Sequence, residues 1–339
     1  MKQVRITSPY SFKVEYAEPE EPEESEALLK VEMLGICASD MQIYHGKHKF
    51  MRFPVILGHE AAAVIEKTGA RVSGFTKGDY VTVQPQVYCG TCYPCGIGRF
   101  NVCENLSVIG VHRDGLSREY ITLDTKYLHK CPSSMPLEHI TLVEPCAVAV
   151  GAVRRAARLE GAKVAVVGAG TIGNLTAQAA KAMGASQVLV ADISGSKLEY
   201  AAECGADFCV NTGKTRLKDA ISAAFGRERS DIIIDCAATP AVFASILEAA
   251  RQCSEIIITG NYKEPAAFDV PLLQRQEITM KGHMMYVRED FSTAISLLAG
   301  GKIATAKTVN KIFSFNEYES AFQYAGEHAN EIMKLMIKL

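Results

Sequence analysis

The run Val164-Ala165-Val166-Val167-Gly168-Ala169-Gly170-Thr171-Ile172-Gly173 confines the fold more than any other part of the chain. Its apolar, largely β-branched start reads as a buried strand. The Ala-rich stretch 171–183 reads as the helix that follows. The spacing G-x-G-x-x-G states how the two meet. Gly168 makes the tight turn. Gly170 lets a pyrophosphate approach backbone N–H groups at the helix start, where Thr171 and Ile172 form the first turn. Gly173 lets helix and strand pack closely. A second strand, 187–191, leads into Asp192, which lies 19 residues after Gly173. A carboxylate there can accept hydrogen bonds from the adenosine ribose and repels a 2′-phosphate, which favours NAD over NADP. Lys197 can add a ribose contact, although a surface lysine suits its position equally well. The plain alternative, a glycine turn and a surface Asp, leaves the strand, helix and strand around them without a reason.

The same texture continues. Residues 163–167, 187–191, 208–210, 231–235 and 255–259 read as buried strands, and 171–183, 196–204, 215–225 and 240–252 as helices between them. That alternation predicts a doubly wound parallel sheet of the Rossmann kind. Upstream the pattern differs. Two short strands fill 2–17, and a proline-broken acidic loop follows at 18–26. Alternating apolar residues at Leu29, Val31 and Met33, then 61–67 and 79–85, make the first 130 residues mainly β. A helix is expected at 147–159. The tail adds helices at 290–298 and 316–327 and a strand at 331–339, and is expected to return to the first domain. The division is therefore α/β: a β-rich domain from 1–147 and 288–339, and a dinucleotide-binding domain from 148–287. The apolar stretch 278–285 is a candidate sheet edge seeking a partner.

A chain of 339 residues, 48% hydrophobic, is long enough for two cores, and a formal net charge of -2 gives no support for a nucleic-acid partner. No run approaches the length of a membrane helix, and Met1-Lys2-Gln3-Val4-Arg5 leads directly into strand-like sequence without an apolar signal core. The expected location is cytoplasmic. In a reducing compartment, eleven cysteines argue for metal binding over disulfides. Six of them (Cys131, Cys146, Cys204, Cys209, Cys236 and Cys253) are scattered.

Four of the rest, Cys89, Cys92, Cys95 and Cys103, fall within 15 residues of a Gly/Pro-rich loop. Four thiolates close a tetrahedral shell with no open position, which makes a structural zinc site. An iron–sulfur cluster competes, but the last spacing is seven residues and no proline follows Cys103. A second set comes from separated stretches: Cys37 in Gly35-Ile36-Cys37-Ala38-Ser39-Asp40, His59 and Glu60 in Leu57-Gly58-His59-Glu60, and Glu144 in Val143-Glu144-Pro145. Thiolate, imidazole and carboxylate are zinc ligands. Each residue alone has a structural explanation; together they indicate a catalytic zinc.

With these motifs in order, and with Gly78-Asp79-Tyr80-Val81 between them, essentially the whole chain resembles the zinc-dependent medium-chain dehydrogenases, in particular sorbitol dehydrogenase and the sugar-acid (galactonate- or gulonate-type) members. The resemblance implies a GroES-like β-rich catalytic domain, a Rossmann NAD-binding domain, and one catalytic and one structural zinc. It implies that Cys37 and His59 ligate the catalytic zinc and that Glu144 takes a position occupied by Cys in many alcohol dehydrogenases. Glu60 would be a fourth ligand or a residue exchanging with water or substrate. Asp40 would orient His59, and Ser39 would pass the substrate proton outward. Relatives are homodimers or homotetramers.

Two departures stand out. Where many relatives carry a relay histidine, five residues after Cys37, this chain has Gln42, which cannot act as a base at neutral pH. The relay beyond Ser39 would then run through cofactor ribose and water, or through His45. The loop Asp114-Gly115-Leu116-Ser117-Arg118-Glu119-Tyr120 lacks the usual second glycine and aromatic. Glu144 resembles the polyol and sugar-derivative branch, and the run from Cys95 to Cys103, followed by Gly110-Val111-His112-Arg113-Asp114-Gly115, resembles members that act on sugar acids. Tyr44, His112 and Arg113 are the candidate contacts, because a sugar acid needs a cation for its carboxylate and donors for its hydroxyls. A surface arginine is the alternative for Arg113. A threonine dehydrogenase-like amino-alcohol enzyme and a non-catalytic dinucleotide sensor remain as other readings.

Overall fold

Strand Glu26–Ile36 pairs with three neighbours at once: Glu60–Thr68, Tyr120–Asp124 and Lys334–Lys338. Its first half alternates, burying Ala27, Leu29 and Val31 and exposing Lys30. Its last four residues, Met33 to Ile36, are all buried, and this is the length along which the terminal strand Lys334–Lys338 joins it. The computed structural model describes residues 1–49 and 51–339. They divide into two compact units, Met1–Glu144 with Val309–Leu339, and Pro145–Thr308.

The first unit is built on a seven-stranded sheet in the order Leu128–Lys130, Tyr80–Val83, Glu60–Thr68, Glu26–Ile36, Lys334–Lys338, Val309–Ser314, with Tyr120–Asp124 also on the central strand. The tail thus supplies two strands, one beside the strand that ends at Ile36. A smaller sheet joins Ser11–Tyr16, Lys2–Ser8 and Val55–Ile56. An aromatic cluster of Phe12, Tyr44, Tyr318 and Phe322 ties that hairpin to helices Ala38–Tyr44 and Tyr318–Glu327.

The second unit holds six parallel strands in the order Phe208–Asn211, Gln187–Asp192, Lys163–Val167, Ile232–Asp235, Glu255–Ile258, Thr279–Gly282. The order reverses between Lys163–Val167 and Ile232–Asp235, the switch point at which doubly wound sheets bind ligands. Val164, Ala165, Val166, Ile233 and Ile234 are fully buried, as a sheet covered on both faces requires. The edge strand Thr279–Gly282 lies within the stretch expected to be an edge. Helix Arg288–Ala299 falls in this unit, where Phe291 packs on Tyr286 at 4.8 Å and Asp290 faces Arg154 at 3.5 Å. The chain crosses back at Val309, later than the expected boundary at 288. Among the described residues, no helix is long and apolar enough to cross a membrane.

Candidate metal and cofactor sites

Cys37 stands between the central strand and helix Ala38–Tyr44, as the residue that caps the helix. Asp40 makes this junction rigid. Its Oδ2 accepts the Cys37 backbone N–H at 2.9 Å, while its Oδ1 lies 3.4 Å from Nδ1 of His59. One carboxylate thus holds both the thiol's backbone and the imidazole. With Nδ1–H directed at Asp40, Nε2 keeps its lone pair on the side where Ser39 Oγ lies, 3.4 Å away. Burial opposes a charge on His59, yet Asp40 and Cys37 raise its proton affinity well above the ordinary value. The surroundings thus call for a positive centre.

Ligand atoms of Cys37, His59 and Glu60 all lie within 4.8 Å of one another. Thiolate, imidazole and carboxylate at that closeness, with an oriented imidazole, fit zinc. Gly35 makes room for Glu60. The two are cross-strand partners, and a Cβ on Gly35 would stand 2.1 Å from Oε2 of Glu60. Glu144 is buried at the start of helix Val143–Arg154.

Glu60 finds a partner that no motif or spacing indicates. Nζ of Lys334, on the terminal strand, donates to both Glu60 oxygens at 2.7 Å and to the Ile36 carbonyl at 3.2 Å. Both side chains are almost fully buried. Burial opposes the charge of Lys334. Glu60 first, then Cys37 and Glu144, more than restore it and hold the ammonium above the usual lysine range.

The four-cysteine loop also fits its metal. Sγ of Cys103 lies 3.5 Å from that of Cys89 and 3.8 Å from that of Cys92. A tetrahedron with zinc–sulfur bonds of about 2.3 Å has edges of about 3.8 Å. Backbone N–H groups of Cys89 and Asn105 point at Cys103 Sγ, both at 3.3 Å, an arrangement that stabilises a thiolate.

Other candidates lie elsewhere. Tyr44 is buried in the aromatic cluster, and His45 packs against Tyr10 and Tyr44. Neither belongs to the metal-ligand group. His112 accepts the Val108 N–H on Nδ1 at 3.0 Å. Arg113 lines a cavity with Arg118, Tyr120 and Tyr127. The atypical loop is anchored: Arg5 grips Asp114 through two hydrogen bonds at 2.9 and 3.0 Å, and Ser117 meets the Tyr318 hydroxyl at 2.7 Å. His48, which spacing did not single out, is the histidine that feels the charges of His112, Asp40 and His59, with burial lowering its pKa most.

In the second unit the glycine fingerprint behaves as its spacing requires. Gly168 turns with φ 99°, and Gly170 caps helix Thr171–Ala182 with open space where its Cβ would be. A Cβ on Gly173 would sit 1.7 Å from the Gly168 carbonyl oxygen. Thr171 and Ile172 open the helix. Asp192 accepts the Ala169 N–H at 2.6 Å and the Ser194 N–H at 2.8 Å, so its carboxylate is fixed beside the glycine turn. Lys197 lies in the first turn of helix Gly195–Glu203. Asp235, fully buried at the end of its strand, is a residue the sequence reading passed over. Its Oδ1 accepts the N–H groups of Ala237 and Ala238, and its Oδ2 accepts the Tyr262 hydroxyl.

Family models match the chain in both units. Residues 23–133 match the alcohol dehydrogenase GroES-like domain and residues 171–300 the zinc-binding dehydrogenase model. L-galactonate-5-dehydrogenase of Escherichia coli strain K12 is 32% identical over 93% of this chain and 92% of its own. Sorbitol dehydrogenase of Bacillus subtilis strain 168 is 30% identical over 99% of this chain and 97% of its own. An alcohol dehydrogenase of Escherichia coli CFT073, solved with the cofactor NADH, has a TM-score of 0.94 at 30% identity, covering 100% of this chain and 99% of that one.

Proposed function

Because the chain belongs to the zinc-binding alcohol dehydrogenase family, we propose that it oxidises a secondary alcohol of a polyol or sugar acid and passes the hydride to NAD. The observation that carries this reading is the cluster of Cys37, His59 and Glu60, with Asp40 fixing the imidazole and Ser39 beside it. Zinc bound there supplies Lewis acidity that eases loss of the hydroxyl proton, and NAD supplies the hydride acceptor.

The chain's own groups do the rest. Cys37, His59 and Glu60, whose ligand atoms group together, would hold the metal, with Glu144 as the alternative carboxylate. Ser39 Oγ accepts the substrate hydroxyl proton and hands it outward, in the place where a hydroxyl adjoins the imidazole. The open space at Gly170 and the helix N-terminus receive the pyrophosphate, and Asp192 receives the ribose hydroxyls. The relatives named for sorbitol and L-galactonate support the substrate class.

The test is a spectrophotometric screen of polyols, aldonates, simple alcohols and threonine with NAD and NADP. A polyol or aldonate oxidised with NAD at least about tenfold more efficiently than the others supports the proposal, since tenfold is about 1.4 kcal/mol of discrimination. Preference for threonine or ethanol removes it.

A further inference from the structure

We propose that the cavity lined by the atypical loop and strand Tyr120–Asp124 is a second binding site, separate from the metal centre, for a small carboxylate that carries several hydroxyl groups. Its volume is about 360 Å³, within the range of about 300–1,000 Å³ usual for small-ligand pockets. The strand forms one wall. Tyr120 lies opposite Lys30 and Asp124 opposite Glu26, so this wall runs along the first half of the central strand. Cys37 follows the other end of that strand, seven residues beyond Lys30, a distance of about 20 Å at about 3.3 Å per residue. Cys37, His59 and Glu60 are not among the lining residues. Another wall is the loop 109–118, which also supports the segment before His59. Gly115, Leu116 and Ser117 donate backbone N–H groups to the carbonyls of Ile56, Gly58 and Leu57 at 2.7, 3.0 and 2.9 Å.

Arg118 gives the cavity its chemistry. Its Nε donates to the Gly115 carbonyl at 2.8 Å, and its two Nη groups have no partner among the described residues. Burial pulls its pKa below the usual arginine value, and Asp114 and Glu20 oppose that as nearby charges, without a hydrogen bond. A partly buried guanidinium with unused N–H donors suits a carboxylate, which accepts two of them at once. Arg113, whose side chain also has no partner among the described residues, adds a second positive charge. The acids on the lining are not equivalent. Asp114 is gripped by Arg5, and Asp124 is paired with Lys126 at 2.9 Å, so neither competes for Arg118. Glu26 Oε2 accepts the Glu23 N–H at 3.0 Å, and Glu20 is exposed with its carboxylate unpaired. These two are acceptors that hydroxyl groups can fill. The ammonium of an amino acid meets them too, but it is strongly hydrated and loses more on entering a pocket.

Binding without turnover tests this. Sodium D-gluconate, its neutral counterpart D-glucitol and L-glutamate are titrated calorimetrically into the zinc-containing protein in the absence of NAD. Gluconate should bind at least about tenfold more tightly than either of the others, the worth of a charge-assisted hydrogen bond. It should also slow hydrogen exchange in peptides covering 109–124. Arg118→Met should weaken gluconate at least about tenfold and abolish that protection. Glu20→Gln, at an exposed position, should weaken it at least about threefold, and it decides the matter if Arg118→Met does not fold. Cys37→Ser, which removes a proposed metal ligand, should keep the protection of 109–124. Gluconate affinity equal to the parent's in both variants would overturn the proposal, as would glucitol or glutamate binding as tightly as gluconate. Protection confined to 35–60, or lost in Cys37→Ser, would place the ligand at the metal and overturn it as well. The substrate reading fails separately: a protein that oxidises no aldonate would still bind gluconate in this cavity.

Discussion

Asp40 spends its two oxygens on different partners, the backbone N–H of Cys37 and the imidazole of His59. That division would make it the orienting residue for the two proposed zinc ligands, and outer-shell groups of this kind typically govern metal affinity by about 10–100-fold. Asp40→Asn should therefore weaken zinc at the Cys37–His59 site by about 10–100-fold, measured by competition with a chelator, with the four-cysteine zinc retained. Equal affinity in the variant and the parent would remove the orienting role. Single residues also mark the limit of what sequence conveys. Cys37, His59 and Glu60 were legible because their side chains are metal ligands whatever the fold. Lys334 was not: in the run Lys334-Leu335-Met336-Ile337-Lys338, alternation reads it as a solvent-facing position. Only the pairing of that strand with Glu26–Ile36 shows it buried. Tyr44 and His45 illustrate the opposite sense, since a seven-residue helix does not reveal from its sequence which of its faces is turned to the aromatic cluster.

At the scale of elements, the strand–turn–helix from Lys163 to Ala182 depends on one contact. A Cβ at Gly173 would lie 1.7 Å from the Gly168 carbonyl oxygen, a separation no real structure holds, so helix and turn would have to part. Gly173→Ala should cost about 1–3 kcal/mol of stability, the usual penalty of overpacking. It should also weaken NADH by at least about tenfold, read by fluorescence titration, since 1.4 kcal/mol of lost fit is tenfold. Gly195→Ala is the contrast. That glycine opens helix Gly195–Glu203 with nothing within 4 Å of its Cβ position, so its melting temperature and NADH affinity should stay near the parent values. The parallel strands were readable to within one or two residues because each is an apolar run between helices. Thr279–Gly282 was expected only as part of the candidate edge stretch 278–285, without its bounds: it is short, half exposed and carries Lys281, which reaches Glu255 and the Arg155 carbonyl. Edge strands have only one neighbour to impose a pattern.

For the whole molecule, the division into two units, each with its own sheet, predicts that ligands act locally. A ligand present at about 100 times its Kd stabilises the state that binds it by about 2.7 kcal/mol. The glycine turn proposed to cradle the pyrophosphate lies in Pro145–Thr308, whereas both candidate metal sites lie in Met1–Glu144 with Val309–Leu339. Hydrogen exchange read by mass spectrometry separates the two. NADH at that concentration should slow exchange about a hundredfold in peptides covering Lys163–Val167 and Gln187–Asp192, wherever opening of this unit limits exchange. Chelation of zinc should speed exchange around Cys89 to Cys103 and around Cys37, and leave the parallel strands near their parent rates. The reasoning is one of position: thiolates 3.5 and 3.8 Å apart repel one another once the metal is gone, and that strain sits in a short loop outside the parallel sheet. If chelation instead unprotected both units together, the metals would be supporting a single cooperative fold and not two separately stabilised ones.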